Sequence, residues 1–278
     1  TYSCIPNRGT TNAVNTLCRY AKTITDNYKK PAYFLKADIK NFFVSIDKSI
    51  LYDEIKKYVD EEWLLKLIEM VIFHNPRYDV RVKSPKYMFK YLPEYKSLWH
   101  TSNDFGLPIG NLTSQFFSNV YLNVLDQYIK HHWHCKYYCR YVDDFVIMDE
   151  DPKKLSQIHK DLTRFLRERL HLEFHQNKKL INKIEKGIDF VGFVVKPHRI
   201  GLSQKTIKRV FKKIREQKNN PIWFYPSEPE KFCASINSYL GFLRNANGYY
   251  LRREICLSCN NLFICCDKEY TKLKVVIK

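Results

Sequence analysis

The segment Lys136 to Met148 (KYYCRYVDDFVIM) limits the possible folds more than any other stretch, because it sets two adjacent carboxylates inside a run of Tyr, Val, Ile and Phe. Aromatic and β-branched residues favour strands and Asp favours turns, so the run predicts a hairpin with Asp143 and Asp144 at its tip. A second apolar run, Tyr33 to Ile39 (YFLKADI), follows Pro31, reads as a buried strand and carries Asp38 near its end. If the two elements are neighbours, three carboxylates converge. Like charges about 4 Å apart repel by roughly 4 kcal/mol at an effective dielectric of about 20, so such a cluster implies a cation. Oxygen-only donors point to Mg²⁺. Two such ions suit in-line phosphoryl transfer, one lowering the pKa of an attacking hydroxyl and the other neutralising the leaving oxygen. Taken singly, each Asp is a turn former or strand terminator; only the three together favour the metal reading.

Hydrophobic spacing predicts helices over Asp47 to Val59 and Glu61 to Phe73, then an irregular segment marked by Pro76, Pro85 and Pro93 that runs to Gly106. Long loops of this kind are often functional. Gly106 to Asn111 leads into a helix whose predicted apolar face is Leu112, Phe116, Val120, Val124 and Tyr128, with Asn111 or Thr113 as cap. Asp151 and Pro152 open another helix, with Leu155, Ile158, Leu162, Phe165 and Leu166 on its buried side. Short strands are expected over Leu172 to Phe174, Leu180 to Ile184 and Asp189 to Val195. Strand, helix, hairpin, helix, strand is the order of a split βαβ antiparallel sheet with helices on one face, an α+β arrangement. Beyond Ser203, Lys205, Lys208, Lys212, Lys213 and Arg215 line one side of a helix whose other side is Ile207, Val210, Phe211 and Ile214. A Pro-containing linker from Asn219 to Pro229, with helices over Glu230 to Leu243 and Tyr249 to Leu257, completes a small helical domain. The boundary is expected between residues 202 and 203.

Among 278 residues, 47 Lys and Arg face 29 Asp and Glu, and the resulting +18 calls for a polyanionic partner. The 20 Tyr and 18 Phe supply faces on which bases stack, which favours RNA or DNA. A hydrophobic content of 45% supports a real core and excludes wholesale disorder. No run of 18 apolar residues and no charged-then-apolar start occur, so no membrane role is expected and the chain reads as cytoplasmic. The nine unevenly spaced cysteines suit reduced intracellular thiols rather than a disulfide framework. Cys256 and Cys259 form a CxxC followed by Cys265 and Cys266, a spacing compatible with Zn²⁺, but no His lies among them and the segment is otherwise apolar. An opening at Thr1 rather than Met suggests residues upstream.

Taken in order, KADIKNFF (Lys36 to Phe43), YVDD (Tyr141 to Asp144) and DFVGF (Asp189 to Phe193) resemble the two carboxylate motifs and the primer-gripping segment of reverse transcriptases. The resemblance runs over nearly the whole chain. It implies a right-hand polymerase fold, with palm and partial fingers in residues 1–202 and a helical thumb in 203–278. By position it makes Asp38, Asp143 and Asp144 the ligands of two Mg²⁺ ions, with the carbonyl of Ile39 as a backbone ligand. Phe43 becomes the gate beneath the sugar of the incoming nucleotide, beside Ile109, Gly110 and Gln115. Lys178, in LEFHQNK, falls where the family places an acid for the departing pyrophosphate. Arg8, Gly192, Lys205, Lys208 and Lys212 fall to template and primer. The plainer readings are a core aromatic for Phe43 and a solvated charge for Lys178.

GLPIGNLTSQ (Gly106 to Gln115) is similar to the reverse transcriptases of diversity-generating retroelements, within the group II intron-like superfamily. There an aliphatic residue and Ser-Gln stand where most relatives have Gln and Ser-Pro, and Ile109 and Ser114-Gln115 match. SCIPNRGTTNAV (Ser3 to Val14), KSLW (Lys96 to Trp99) and SYLGFLRNAN (Ser238 to Asn247) are similar as well. The subfamily implies an RNA-directed DNA polymerase, bacterial or phage-encoded, that copies a structured template repeat RNA into error-prone cDNA for mutagenic retrohoming. It also implies deoxynucleoside triphosphates as substrates and a small basic accessory protein as partner. Ile109 would relax fidelity opposite template adenine, having no hydrogen-bonding group; its plainer role is to pack under the loop. The fingers strands that should precede Ser3 are not in this chain. Two other readings share these motifs: a group II intron-type or phage-defence reverse transcriptase, and an RNA-binding module without polymerisation.

Overall fold

The computed structural model describes residues 1–78, 80–218, 227–244, 246–259 and 264–276, so most of the expected Asn219 to Pro229 linker lies outside the described residues. The chain divides into two compact units, Thr1–Lys183 and Ile184–Lys278.

In the first unit, helix α1 (Thr10–Ile24) precedes strand β1 (Tyr33–Asp38), the short helix α2 (Phe42–Ser45), and helices α3 (Lys48–Lys56) and α4 (Glu62–Phe73). An irregular stretch with 3₁₀ turns leads to α5 (Leu112–Gln127). The hairpin β2 (Tyr137–Tyr141) and β3 (Asp144–Asp149), helix α6 (Pro152–Leu170) and β4 (Leu180–Lys183) follow. The sheet order is β2-β3-β1-β4, antiparallel throughout. That is the split βαβ arrangement the element order predicts.

Register matters here because a one-residue slip would turn every side chain of a strand to the other face. Leu35, Ala37, Tyr138, Phe145 and Ile147 face a core shared with Leu122 and Leu125 of α5 and Leu155, Ile158 and Leu162 of α6. Cys139 and Val146 occupy the other face, where Cys139 Sγ donates to the carbonyl of Ala13 in α1. Sequence spacing did not announce α1. Its buried stripe of Ala13, Val14, Leu17, Ala21 and Ile24 is diluted by Thr, Asn and Lys on the remaining surface.

The α5 face is corrected by the structure. Leu112 is 77% and Phe116 58% exposed, while Phe117, Tyr121, Leu122 and Leu125 are buried beside Ser114 and Ser118. Of the expected face, Val120, Val124 and Tyr128 are half-buried and do pack against the core. Only its first turn faces outward, and the stripe carrying small Ser residues is the more deeply buried one. Tyr121 then closes a polar knot: its hydroxyl donates to Leu170 O at 2.6 Å and accepts from Asp47 N at 3.3 Å. The Asp47 carboxylate caps α3 through Ser49 N and Ile50 N and lies 3.0 Å from His171 Nδ1. This knot fixes the start of the segment after α6. That segment is not the expected Leu172 to Phe174 strand but a single bridge, Ile39 to Phe174.

In the second unit, the Asp189 to Val195 stretch, expected as one strand, is a hairpin. Strands β5 (Ile188–Phe190) and β6 (Phe193–Lys196) turn through Val191 and Gly192, both at positive φ, and β7 (Arg199–Leu202) pairs with β6. Helices α7 (Gln204–Lys218), α8 (Ser227–Arg244) and α9 (Tyr249–Cys259) and a small hairpin of β8 (Ile264–Cys266) and β9 (Leu273–Val275) complete it. This three-stranded sheet groups with the C-terminal helices, so the division falls earlier than the 202/203 boundary expected from sequence. Its ties explain that grouping: Ser203 N donates to Gly192 O at 2.9 Å, Asn247 bonds Ile200, and the Phe193 and Phe242 rings lie 5.5 Å apart. Cys256 and Cys259 are buried, and burial, with Cys266 adjacent, pushes the Cys256 thiol up to about 12.

Candidate active site

Strand pairing sets Asp38 directly opposite Asp144, and Tyr141 opposite Asp144 on the other side. Asp143 stands in the turn between Tyr141 and Asp144, after Val142 at φ 56. The acid face is also the face of Lys36, two residues before Asp38 on the same side of the strand. Lys36 Nζ lies 3.2 Å from Asp144 Oδ2. Past β1, Lys40 N donates to Glu173 O and His175 N to Asp38 O, both at 2.8 Å, so the chain after α6 is zipped alongside residues 38–40. That zipper delivers Lys178, whose Nζ donates to Asp38 Oδ2.

A cleft of about 290 Å³ opens in front of these groups, with Asp38, Asp143 and Lys178 at its floor and Ile39, Phe43 and Ile109 along its walls. Phe43 is half-buried and tilted against the buried Phe42 at 5.4 Å, so the neighbour takes the core place and Phe43 faces the cleft. Ile109 is 75% exposed rather than packed under its loop. The loop is held to α2: Leu107 N donates to Phe43 O and Gly106 N to Ile46 O, both at 2.8 Å. Gly106 is required there, since at φ +84 a Cβ would meet Leu98 Cδ2 at 2.6 Å. Gly110, at φ +107, has open space around it.

The electrostatics are those of an under-compensated acid cluster. Burial, opposed by Lys36 and reinforced by Asp143 and Asp38, pushes the Asp144 carboxyl up to about 6. Burial also raises Asp143, with Asp38 adding to it. Asp144 Oδ1 is buried without a hydrogen-bond partner, which is costly unless a cation takes that oxygen. The donor set is hard and anionic, so these residues fit a divalent ion. Among the described residues, no three His, Cys, Asp or Glu side chains stand in metal-holding geometry. Lys178 and Lys36 take Asp38 and Asp144 instead.

A reverse transcriptase (RNA-dependent DNA polymerase) profile matches residues 2–195. The chain belongs to the reverse transcriptase family. Domains of this family generally depend on divalent metal. Similar solved structures include apo telomerase from Candida tropicalis, at TM-score 0.50 and 11% identity over 73% of this chain and 37% of that one. A form of it truncated from the C-terminal domain gives 0.50 and 13% over 70% and 40%. Candida albicans telomerase in complex with a fragment of telomeric RNA gives 0.46 and 14% over 90% and 50%. The chain thus spans half or less of the length of these telomerases. At such identities the likeness concerns the fold alone. No curated protein matches the sequence.

Not every residue assigned from sequence to this reverse transcriptase site lies in the cleft. Gln115 Oε1 accepts from Cys4 Sγ at 3.0 Å, and Arg8 folds back on Thr1 O at 3.0 Å and over the Tyr2 ring; neither lines the cleft. Gly192, Lys205, Lys208 and Lys212 belong to the second unit. Gly192 turns the β5–β6 hairpin at φ +88, and the three lysines are exposed on α7, with Lys212 3.6 Å from Glu216. Conversely, Lys96 and Asn41 line the cleft and Lys36 pairs with Asp144, although motif reading gave none of them a role. Lys36 was legible in principle, since strand alternation puts it on the face of Asp38. Lys96, brought in by the irregular stretch before Gly106, opens the KSLW segment, whose resemblance flagged the stretch without giving the side chain a role.

Proposed function

We propose that this chain is the catalytic core of an RNA-directed DNA polymerase that binds two Mg²⁺ ions through Asp38, Asp143 and Asp144. The observation that carries the reading is the strand register that pairs Asp38 with Asp144, next to a buried carboxylate oxygen that lacks a donor. When bound, the ions would supply charge neutralisation and an acidified primer hydroxyl. The chain's own residues do the rest. Phe43, on the cleft wall, lies under the sugar and excludes a 2′-hydroxyl by bulk. Lys178, whose Nζ donates to Asp38 Oδ2, would be the acid that gives a proton to the departing pyrophosphate. The first unit corresponds to palm and partial fingers. The β5–β6 turn and α7 of the second correspond to primer grip and thumb, where Lys205, Lys208 and Lys212 meet phosphates.

The finer assignment is to a diversity-generating retroelement, with a structured template RNA, a small basic accessory protein and a bacterial or phage cytoplasm as its setting. It is supported by GLPIGNLTSQ and by the exposure of Ile109 at the cleft. An apolar side chain there senses shape but cannot reward a well-seated pair with a hydrogen bond. Extension of a DNA primer on an RNA template, with the cDNA sequenced, tests both levels. Errors concentrated opposite template adenine support the retroelement reading. Accurate cDNA points to an intron-type or defence enzyme, and RNA binding without any cDNA to a binding module.

A further inference from the structure

Arg140 is only 1% exposed, the largest fully buried side chain among the described residues, and it does not line the cleft. A guanidinium out of water must have its donors met. Nε and Nη2 donate to the two oxygens of Asp126 at 2.7 and 2.6 Å, a forked pair, and Tyr138 Oη donates to the same carboxylate. Nη1 donates to the carbonyl of Val142 at 2.9 Å and to Asn119 Oδ1 at 3.3 Å. Val142 directly precedes Asp143 and sits at φ 56, a left-handed conformation that a β-branched residue holds only when its surroundings impose it. Asn119 Nδ2 donates to Ser3 O at 2.8 Å and Tyr2 N to Arg140 O at 3.0 Å, so the N-terminal strap braces the same cluster from outside.

We propose that Arg140 is a positioning residue: gripped by Asp126, it pins the Val142 carbonyl and thereby sets where Asp143 and Asp144 stand relative to Asp38. The inference rests on the two-cation reading of the site. It touches neither substrate nor ion, and it needs the fork of Arg, because a Lys at this place supplies the charge without simultaneous bonds to Asp126 and Val142.

Two full-length variants test it. Arg140→Lys keeps the charge. A triple variant, Arg140→Met with Asp126→Leu and Tyr138→Phe, removes the cluster while leaving no unpaired buried charge, so the fold is retained. Mn²⁺ alone, followed by the loss of its free-ion paramagnetic signal, reports the site without nucleotide or activity. In both variants its dissociation constant should rise by about ten- to a hundredfold, the usual consequence of loosening groups behind a metal site. Half-saturating Mg²⁺ for primer extension should rise in parallel, with primer–template affinity unchanged. A folded triple variant that binds Mn²⁺ like the parent, with only a lower melting temperature, would make the cluster structural and overturn the proposal. If the parent binds Mn²⁺ but extends nothing, the polymerase reading fails and the Mn²⁺ comparison still decides this one. If the parent binds no Mn²⁺, both fall.

Discussion

Replacing Asp144 by Asn should stabilise the metal-free protein at neutral pH while removing its chemistry. Burial moves the Asp144 carboxyl from 3.8 to about 6. At ~1.4 kcal/mol per unit this corresponds to about 3 kcal/mol, cut to about 2 kcal/mol for partial exposure and screening. The folded carboxyl takes up its proton at a higher pH than the unfolded one. Unfolding free energy therefore falls as pH rises from about 4 through about 6, with the full cost present at neutral pH. Asn carries no such charge. Losing the Lys36 partnership should cost only ~0–1 kcal/mol, as for other partly exposed pairs. Urea unfolding in a chelator, followed by far-ultraviolet circular dichroism, should show Asp144→Asn more stable than the parent by roughly 1–2 kcal/mol near pH 7 and equal to it near pH 4. Added Mg²⁺ should raise the parent alone by mass action. A variant less stable than the parent near neutral pH, or a gain independent of pH, would refute the reasoning.

Three further perturbations address the cleft and the second unit. Phe43→Ala should admit ribonucleotides, loosening sugar discrimination by about ten- to a hundredfold in competitive incorporation assays; unchanged preference would make Phe43 a core residue. Ile109→Gln should lower misincorporation opposite template adenine while extension survives, read by sequencing cDNA made on one RNA at fixed Mg²⁺. Replacing Lys205, Lys208 and Lys212 together should flatten log K against log salt by about 0.7 to 0.9 for each phosphate that is no longer neutralised. An unchanged slope would leave them as a solvated helix face.

The parts of the fold legible in sequence are those where local pattern and tertiary demand agree. The Tyr33 to Ile39 run and the hairpin around Asp143 and Asp144 became β1, β2 and β3, because alternation and turn chemistry both specify them. The Asp151-Pro152 start became the start of α6 for the same reason. Only the first turn of the α5 face was misread, because Leu112 and Phe116 recur at the same spacing as Phe117, Tyr121 and Leu125 and only the packed core decides between them. Val120, Val124 and Tyr128 pack as expected. Val191 and Gly192 broke an expected single strand, since nothing in DFVGF alone signals that both residues adopt positive φ. In the site, the carboxylates and Lys178 were legible, and most of the groups around them were not. Lys96 is brought to the cleft by a segment distant in sequence, while Asn41 and the Arg140–Asp126 pair lie near the carboxylates in the chain but take their places through packing that no local pattern specifies. Gln115 and Arg8 carried motif positions, yet the N-terminal strap engages them both.

The most direct measurement is extension of a DNA primer on an RNA template by the parent chain and by Asp143→Asn, at matched template affinity and graded Mg²⁺. The parent should extend in proportion to bound Mg²⁺ and not at all in a chelator. Asp143→Asn should bind the template equally, since the basic surface is intact, and yet lose extension by about 10³-fold or more, as expected when metal-supplied transition-state stabilisation of several kcal/mol disappears. Extension by Asp143→Asn at the parent's rate, or by the parent without divalent metal, would contradict the two-cation polymerase site.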